Sequence, residues 1–174
     1  MRTRHLLIVT LVLLVAGVLA AQDAKVDFSG TWTMNADKSD FGDGGGGRGG
    51  RGGGRMGGGS KMVVELKDNL LTMERFMTNR DGEEMSTVYK YTLDGKECDN
   101  SSEWRSEVAK ATWSKDGKKL TIISTMTMSR GDREFTMDSE SVWSMQGDNL
   151  VIESVRSTPR GDMESKMVYD RVKE

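Results

Sequence analysis

The sequence holds one histidine, His5, inside an apolar leader, and one cysteine, Cys98. Once the leader is set aside, no Ser-His-Asp or Cys-His nucleophile can be assembled. Histidine general bases and histidine metal sites go with it. Cys98 lies between Glu97 and Asp99, whose charges disfavour a thiolate, and it has no second cysteine for a disulfide, a zinc pair or a redox couple. Carboxylates are plentiful, but no pair stands out for acid–base hydrolysis. The expectation is a protein that is not an enzyme, with no cofactor and no metal.

Sulfur, hydroxyl and guanidinium groups remain. The chain has thirteen methionines, and Met126, Met128, Met137, Met145, Met163 and Met167 share one strand parity. Such thioethers fill gaps in a core, line an apolar pocket, or hold Cu(I). The stretch RGGRGGGR at 48–55 resembles arginine–glycine segments that bind RNA without sequence preference. Here it has no interleaved aromatics and belongs to an acidic chain, so a solvated loop is expected and no nucleic-acid partner. Over a binding mouth, Arg48, Arg51 and Arg55 would attract an acidic head group. Arg130-Gly131-Asp132 and Arg160-Gly161-Asp162 spell an adhesion tripeptide, but both fall at expected hairpin tips, where turn chemistry accounts for them.

These groups need elements to position them. Residues 1–21 have a basic head (Arg2, Arg4, His5), an uncharged apolar run and small residues at the end. That is the layout of a signal peptide cut after Ala20 or Ala21, and the run is short for a bilayer span. The protein is therefore expected to be secreted or periplasmic, with no membrane span after cleavage; a retained anchor is the rival reading. Losing Arg2 and Arg4 takes the net charge from −2 to −4.

Residues 22–174 read as a single domain. Within them, 42–60 form a Gly/Arg-rich loop expected to be disordered, with 13 of the 21 glycines at 42–59. Elsewhere short runs alternate apolar and polar residues, the period of half-buried strands. Strands are expected at 28–34, 61–67, 70–78, 84–93, 106–113, 119–129, 133–145, 149–157 and 164–172. Turns such as Asp68-Asn69, Asp94-Gly95, Asp116-Gly117 and Gly147-Asp148 separate them. WSKDGKKLTIIS (113–124) and WSMQGDNLVIES (143–154) align as a weak repeat of tryptophan, turn and Leu-x-Ile. Successive hairpins of one template describe an all-β, antiparallel up-and-down meander of about 8–9 strands, closing into a barrel that leaves no exposed edge.

Parity assigns the faces. Leu120, Ile122, Ser124, Met126 and Met128 point inward on one strand, and Phe135, Met137, Ser139, Ser141, Trp143 and Met145 on the next. Met163, Ser165, Met167, Tyr169 and Arg171 follow on the last. The strands at 70–78 and 106–113 are ambiguous. Ser124, Ser139, Ser141, Ser154 and Ser165 make the middle of the interior small and hydroxylated. They either fit a tapering core or leave a cavity tolerant of a polar group.

Phe28-Ser29-Gly30-Thr31-Trp32 resembles the Gly-x-Trp motif on the first strand of the lipocalin and calycin barrels. The resemblance implies a lipocalin-like barrel carrying small hydrophobic molecules, as in small exported bacterial proteins of this type. It also implies closure of the base by Trp32, with Arg171 packed across it, and a long first loop over the mouth where the glycine tract falls. Inward parity makes Arg171 a buried guanidinium in need of the indole face; the alternative is a frayed terminal charge. The expected function is noncatalytic binding or transport of a small apolar or amphipathic molecule. Met126, Met128, Met137, Ser124, Ser139, Ser154 and Met167 would line the cavity, with Tyr89 and Tyr91 offering hydroxyls. The alternative is a filled barrel serving as a structural or protein-interaction module of the cell envelope. The partner expected is a small hydrophobic ligand, and oligomeric state is left open.

Overall fold

The computed structural model describes residues 25–42, 61–79, 81–130, 133–158 and 161–173. The leader, the glycine tract after Gly42 with its three arginines, Pro159 and the tips at Arg80, Gly131-Asp132 and Arg160 lie outside the described residues. The described residues form ten strands: β1 (Gly30–Met34), β2 (Lys61–Lys67), β3 (Leu70–Thr78), β4 (Glu84–Thr92), β5 (Glu97–Asp99), β6 (Arg105–Trp113), β7 (Lys119–Arg130), β8 (Arg133–Gln146), β9 (Asn149–Thr158) and β10 (Gly161–Arg171). This exceeds the eight or nine expected, because β5 is a three-residue strand too short to show a period.

Every neighbour pairs antiparallel, in the order β4-β3-β2-β1-β10-β9-β8-β7-β6-β5. β1 joins β10, so the two ends of the meander meet, and only β4 and β5 remain to be brought together. Side chains do that. Lys90 N–H donates to Asn100 Oδ1 at 2.8 Å, and Asn100 Nδ2 donates back to Lys90 O at 3.1 Å. The amide thus supplies the donor and acceptor that a strand residue would. One step on, Thr92 N–H donates to Cys98 Sγ at 3.1 Å. The result is a nearly closed barrel with a side-chain seam.

The chain does not go slack at the end of β1. Asn35 N–H donates to Val168 O, and Asp40 pairs with Lys166 on β10. Phe41 packs against the core. Gly42, assigned by sequence to the disordered loop, is seated against β10 at φ 66°, where a Cβ would collide with Glu164 O. A short polar turn at 36–38 hides this resumption from a periodicity reading.

The core occupies one end of the barrel. Trp32, Phe28, Met62, Leu71, Leu120 and Leu150 are almost wholly buried there. Each such side chain contributes about 1.5–3 kcal/mol by leaving water. Phe28 stacks on Trp113 at 5.5 Å and meets Trp143 edge-on at 6.0 Å.

Candidate functional site

Cross-strand register sorts the interior into layers. One row runs Ser165, Ser154, Ser141, Ile122, Ala111 from β10 to β6. The next runs Met163, Arg156, Ser139, Ser124, Ala109. Above it stand Met137, Met126 and Glu107, then Phe135, Met128 and Arg105. Seven of the ten residues in the first two rows are serine or alanine, and they lie between the packed base and an upper layer of methionines.

Most of the residues picked from sequence fall in these layers. Ser124 and Ser139 share a hydrogen bond of 2.9 Å between hydroxyls. Ser154 stands between Ser141 and Ser165 in register. Met126 faces Met137, and all three upper methionines, Met126, Met128 and Met137, are half-buried. Met167 and Tyr91 sit lower. Met167 packs on the core and accepts from Tyr169 Oη at 3.5 Å, and Tyr91, 4% exposed, belongs to the core itself. Burial pushes the Tyr91 hydroxyl far above its ordinary value, so it stays neutral. Tyr89 lies parallel to Tyr91 at 6.4 Å and reaches the upper interior.

At the base, Trp32 and Arg171 are register partners, and the guanidinium carbon lies 4.2 Å from the indole centroid. Arg171 Nη1 also donates to Ser29 O at 2.7 Å. The residue is exposed, however, and not the buried guanidinium that parity suggested. Parity reports a face and not a depth, and at the end of a barrel an inward side chain has water beyond it. Its cation–π contact then belongs at the weak end, about 0.5–1 kcal/mol. Gly30 is explained by the same contact: its φ is 140°, and a Cβ there would strike Arg171 Nη1.

The structure adds a polar cluster that parity left undecided. β3 turns Leu71, Met73 and Arg75 inward, and β6 turns Arg105, Glu107, Ala109 and Ala111 inward. Arg105 Nη2 lies 3.2 Å from Glu107 Oε2 and donates to Tyr89 Oη at 2.7 Å. Its guanidinium sits 5.1 Å from the Tyr89 ring centroid, and Nη1 points at Met126 Sδ, 3.9 Å away. Glu107 is 7% exposed, and burial raises its carboxyl above 4.5 against the pull of Arg105 and Arg75. The visible signal was an inward-parity set in 106–113 that ran acid, small, small, aromatic.

A wide open recess of 1430 Å³ is a separate feature. Its lining is mainly the outward set Glu140, Val142, Glu153, Val155, Glu164 and Lys166, beside residues 36–37 and 39–42, so it lies mainly on the outer wall, although Ser154, Met163 and Ser165 of the inward set also border it. Among the described residues, no group of three or more His, Cys, Asp or Glu is placed to hold a metal. No helix long and apolar enough to cross a membrane is present among the described residues.

No family model matches the chain, and no curated protein matches it. Among solved structures, it is similar to the zebrafish ileal bile acid-binding protein complexed with cholic acid. The identity is 15%, the match covers 83% of this chain and 98% of that chain, and the TM-score is 0.55. At that identity the likeness shows the fold alone, an antiparallel β-barrel, here closed but for the seam between β4 and β5.

Proposed function

We propose that the barrel binds a small apolar or amphipathic molecule without catalysis. The observation that carries this is the run of small residues on two adjacent rows, Ser141, Ser154 and Ser165 with Ala109, Ser124 and Ser139, lying beneath half-buried methionines. Small side chains at mid-height leave room, and thioethers above them adapt to varied apolar shapes. The solved structure of like fold, crystallised with cholic acid, supports the reading by analogy of architecture. Export belongs to the same proposal: the leader at 1–21 directs residues 22–174, as one domain, to the periplasm or the exterior.

Native mass spectrometry of the purified protein tests the reading, together with titration by a lipophilic dye. A retained small molecule or one dye per chain is expected. No retained molecule and no dye uptake would overturn binding and favour a filled barrel acting as an envelope module.

A further inference from the structure

We infer that the ligand is an anionic amphipath whose acid group seats against Arg75, Arg105 and Tyr89, beside the seam between β4 and β5. This rests on the binding reading above and names the class of molecule. Among the residues whose side chains are described, the inward faces carry Arg75, Arg105, Arg133, Arg156 and Arg171 and a single carboxylate, Glu107, although the chain as a whole is at −2. Arg171 is engaged at the base with Trp32 and Ser29. Arg133 and Arg156 are exposed, so the half-buried guanidiniums left in the upper interior are Arg75 and Arg105, against one acid.

Those guanidiniums are short of acceptors. Arg105 uses Nη2 on Glu107 and Tyr89, while its Nε is buried with no hydrogen-bond partner. Arg75 is half-buried opposite Met62 and Thr87, and it makes no hydrogen bond or ion pair with another described residue. It acts on the same Glu107 that Arg105 holds, so the two cations share one neighbourhood. A guanidinium is a fork of donors, and one carboxylate cannot satisfy two of them. An incoming acid group would take the free donors in a region partly shielded from water, where such bonds are strongest. Tyr89, which accepts from Arg105, keeps its own proton to donate. Met126, Met137 and the serine rows then receive the apolar part.

The test compares dodecanoate, dodecanol and dodecyltrimethylammonium, below their micelle concentrations, as competitors of a bound dye. On the unaltered protein the acid should bind about tenfold or more tighter than the alcohol, with the ammonium weakest. Arg75→Gln should narrow the preference for acid, weakening the acid several-fold more than the alcohol. Equal binding of acid and alcohol, or equal weakening of both by Arg75→Gln, overturns the anion seat while leaving binding intact. Failure of all three to compete where the dye binds also overturns it; failure of the dye itself overturns the binding reading. If Arg75→Gln does not fold, the carboxyl resonance of ¹³C-labelled dodecanoate on the unaltered protein decides. In the seat it titrates below the free acid, and an unchanged or raised titration overturns the assignment.

Discussion

The two ends of the barrel are built from the same alternating strands and end in opposite states. At the base, inward residues are large and dry: Trp32, Phe28, Leu71, Leu120 and Leu150 are at 0% exposure. At the mouth, inward residues are also large, yet Met77, Met85 and Phe135 keep 50%, 57% and 42% of their surface exposed. Between them lie the serine and alanine rows. The difference teaches that stability and the proposed binding are separable along the barrel axis, because apolar side chains were placed at both ends but packed at only one.

Truncating each end in turn should break the comparison most visibly. Trp32→Ala removes a fully buried indole from the base and should cost about 3–5 kcal/mol. Met137→Ala in the half-buried layer should cost about 1 kcal/mol or less while weakening dye binding. Urea unfolding of the two variants measures the contrast, and comparable losses would merge the regions. A smaller effect, about 1–3 kcal/mol, is expected for Gly30→Ala, which forces a side chain into a left-handed backbone and against Arg171. Adding Arg171→Ala should recover only part of that loss, since the backbone strain persists.

At the seam, Asn100→Ala removes both bonds to Lys90 and should cost about 1 kcal/mol. Hydrogen exchange should show Lys90 N–H losing protection while the base amides keep theirs. The smallest effect is one of pH. The Glu107 carboxyl is raised by burial, so its contribution to stability is complete below its unfolded value near 4.5 and fades as pH rises through the folded value. The unaltered protein should therefore gain on Glu107→Gln in urea midpoint as pH falls from 7 towards 4.5. The exposed Asp94, held at about 2 by hydrogen bonds from Lys96, acts in the opposite sense at lower pH, below that window.

Strand positions were legible because alternation and glycine or aspartate turns recur along the chain, and β2 and β3 begin and end where the pattern does. β5 was not, since Glu97, Cys98 and Asp99 offer a single inward residue. The faces of β3 and β6 were undecidable because their inward sets hold Arg75, Arg105 and Glu107 while Val108 points outward at 39% exposure. Polar residues inside and apolar ones outside cancel a periodic signal, and that conflict marks the residues to which the proposed site is assigned. The pairing of residues 35–42 with β10 was hidden for another reason. Its contacts are backbone hydrogen bonds and one aromatic, Phe41, beyond a polar turn.

The most direct test of a packed base beneath a receptive upper interior uses methionines as reporters at both ends. Protein labelled with ¹³C at the methionine methyls is titrated with dodecanoate and followed by NMR. Saturable shifts at Met126, Met128 and Met137, with Met34 unmoved, are the predicted result. Silence at every methyl, or a shift as large at Met34 as above it, would contradict it.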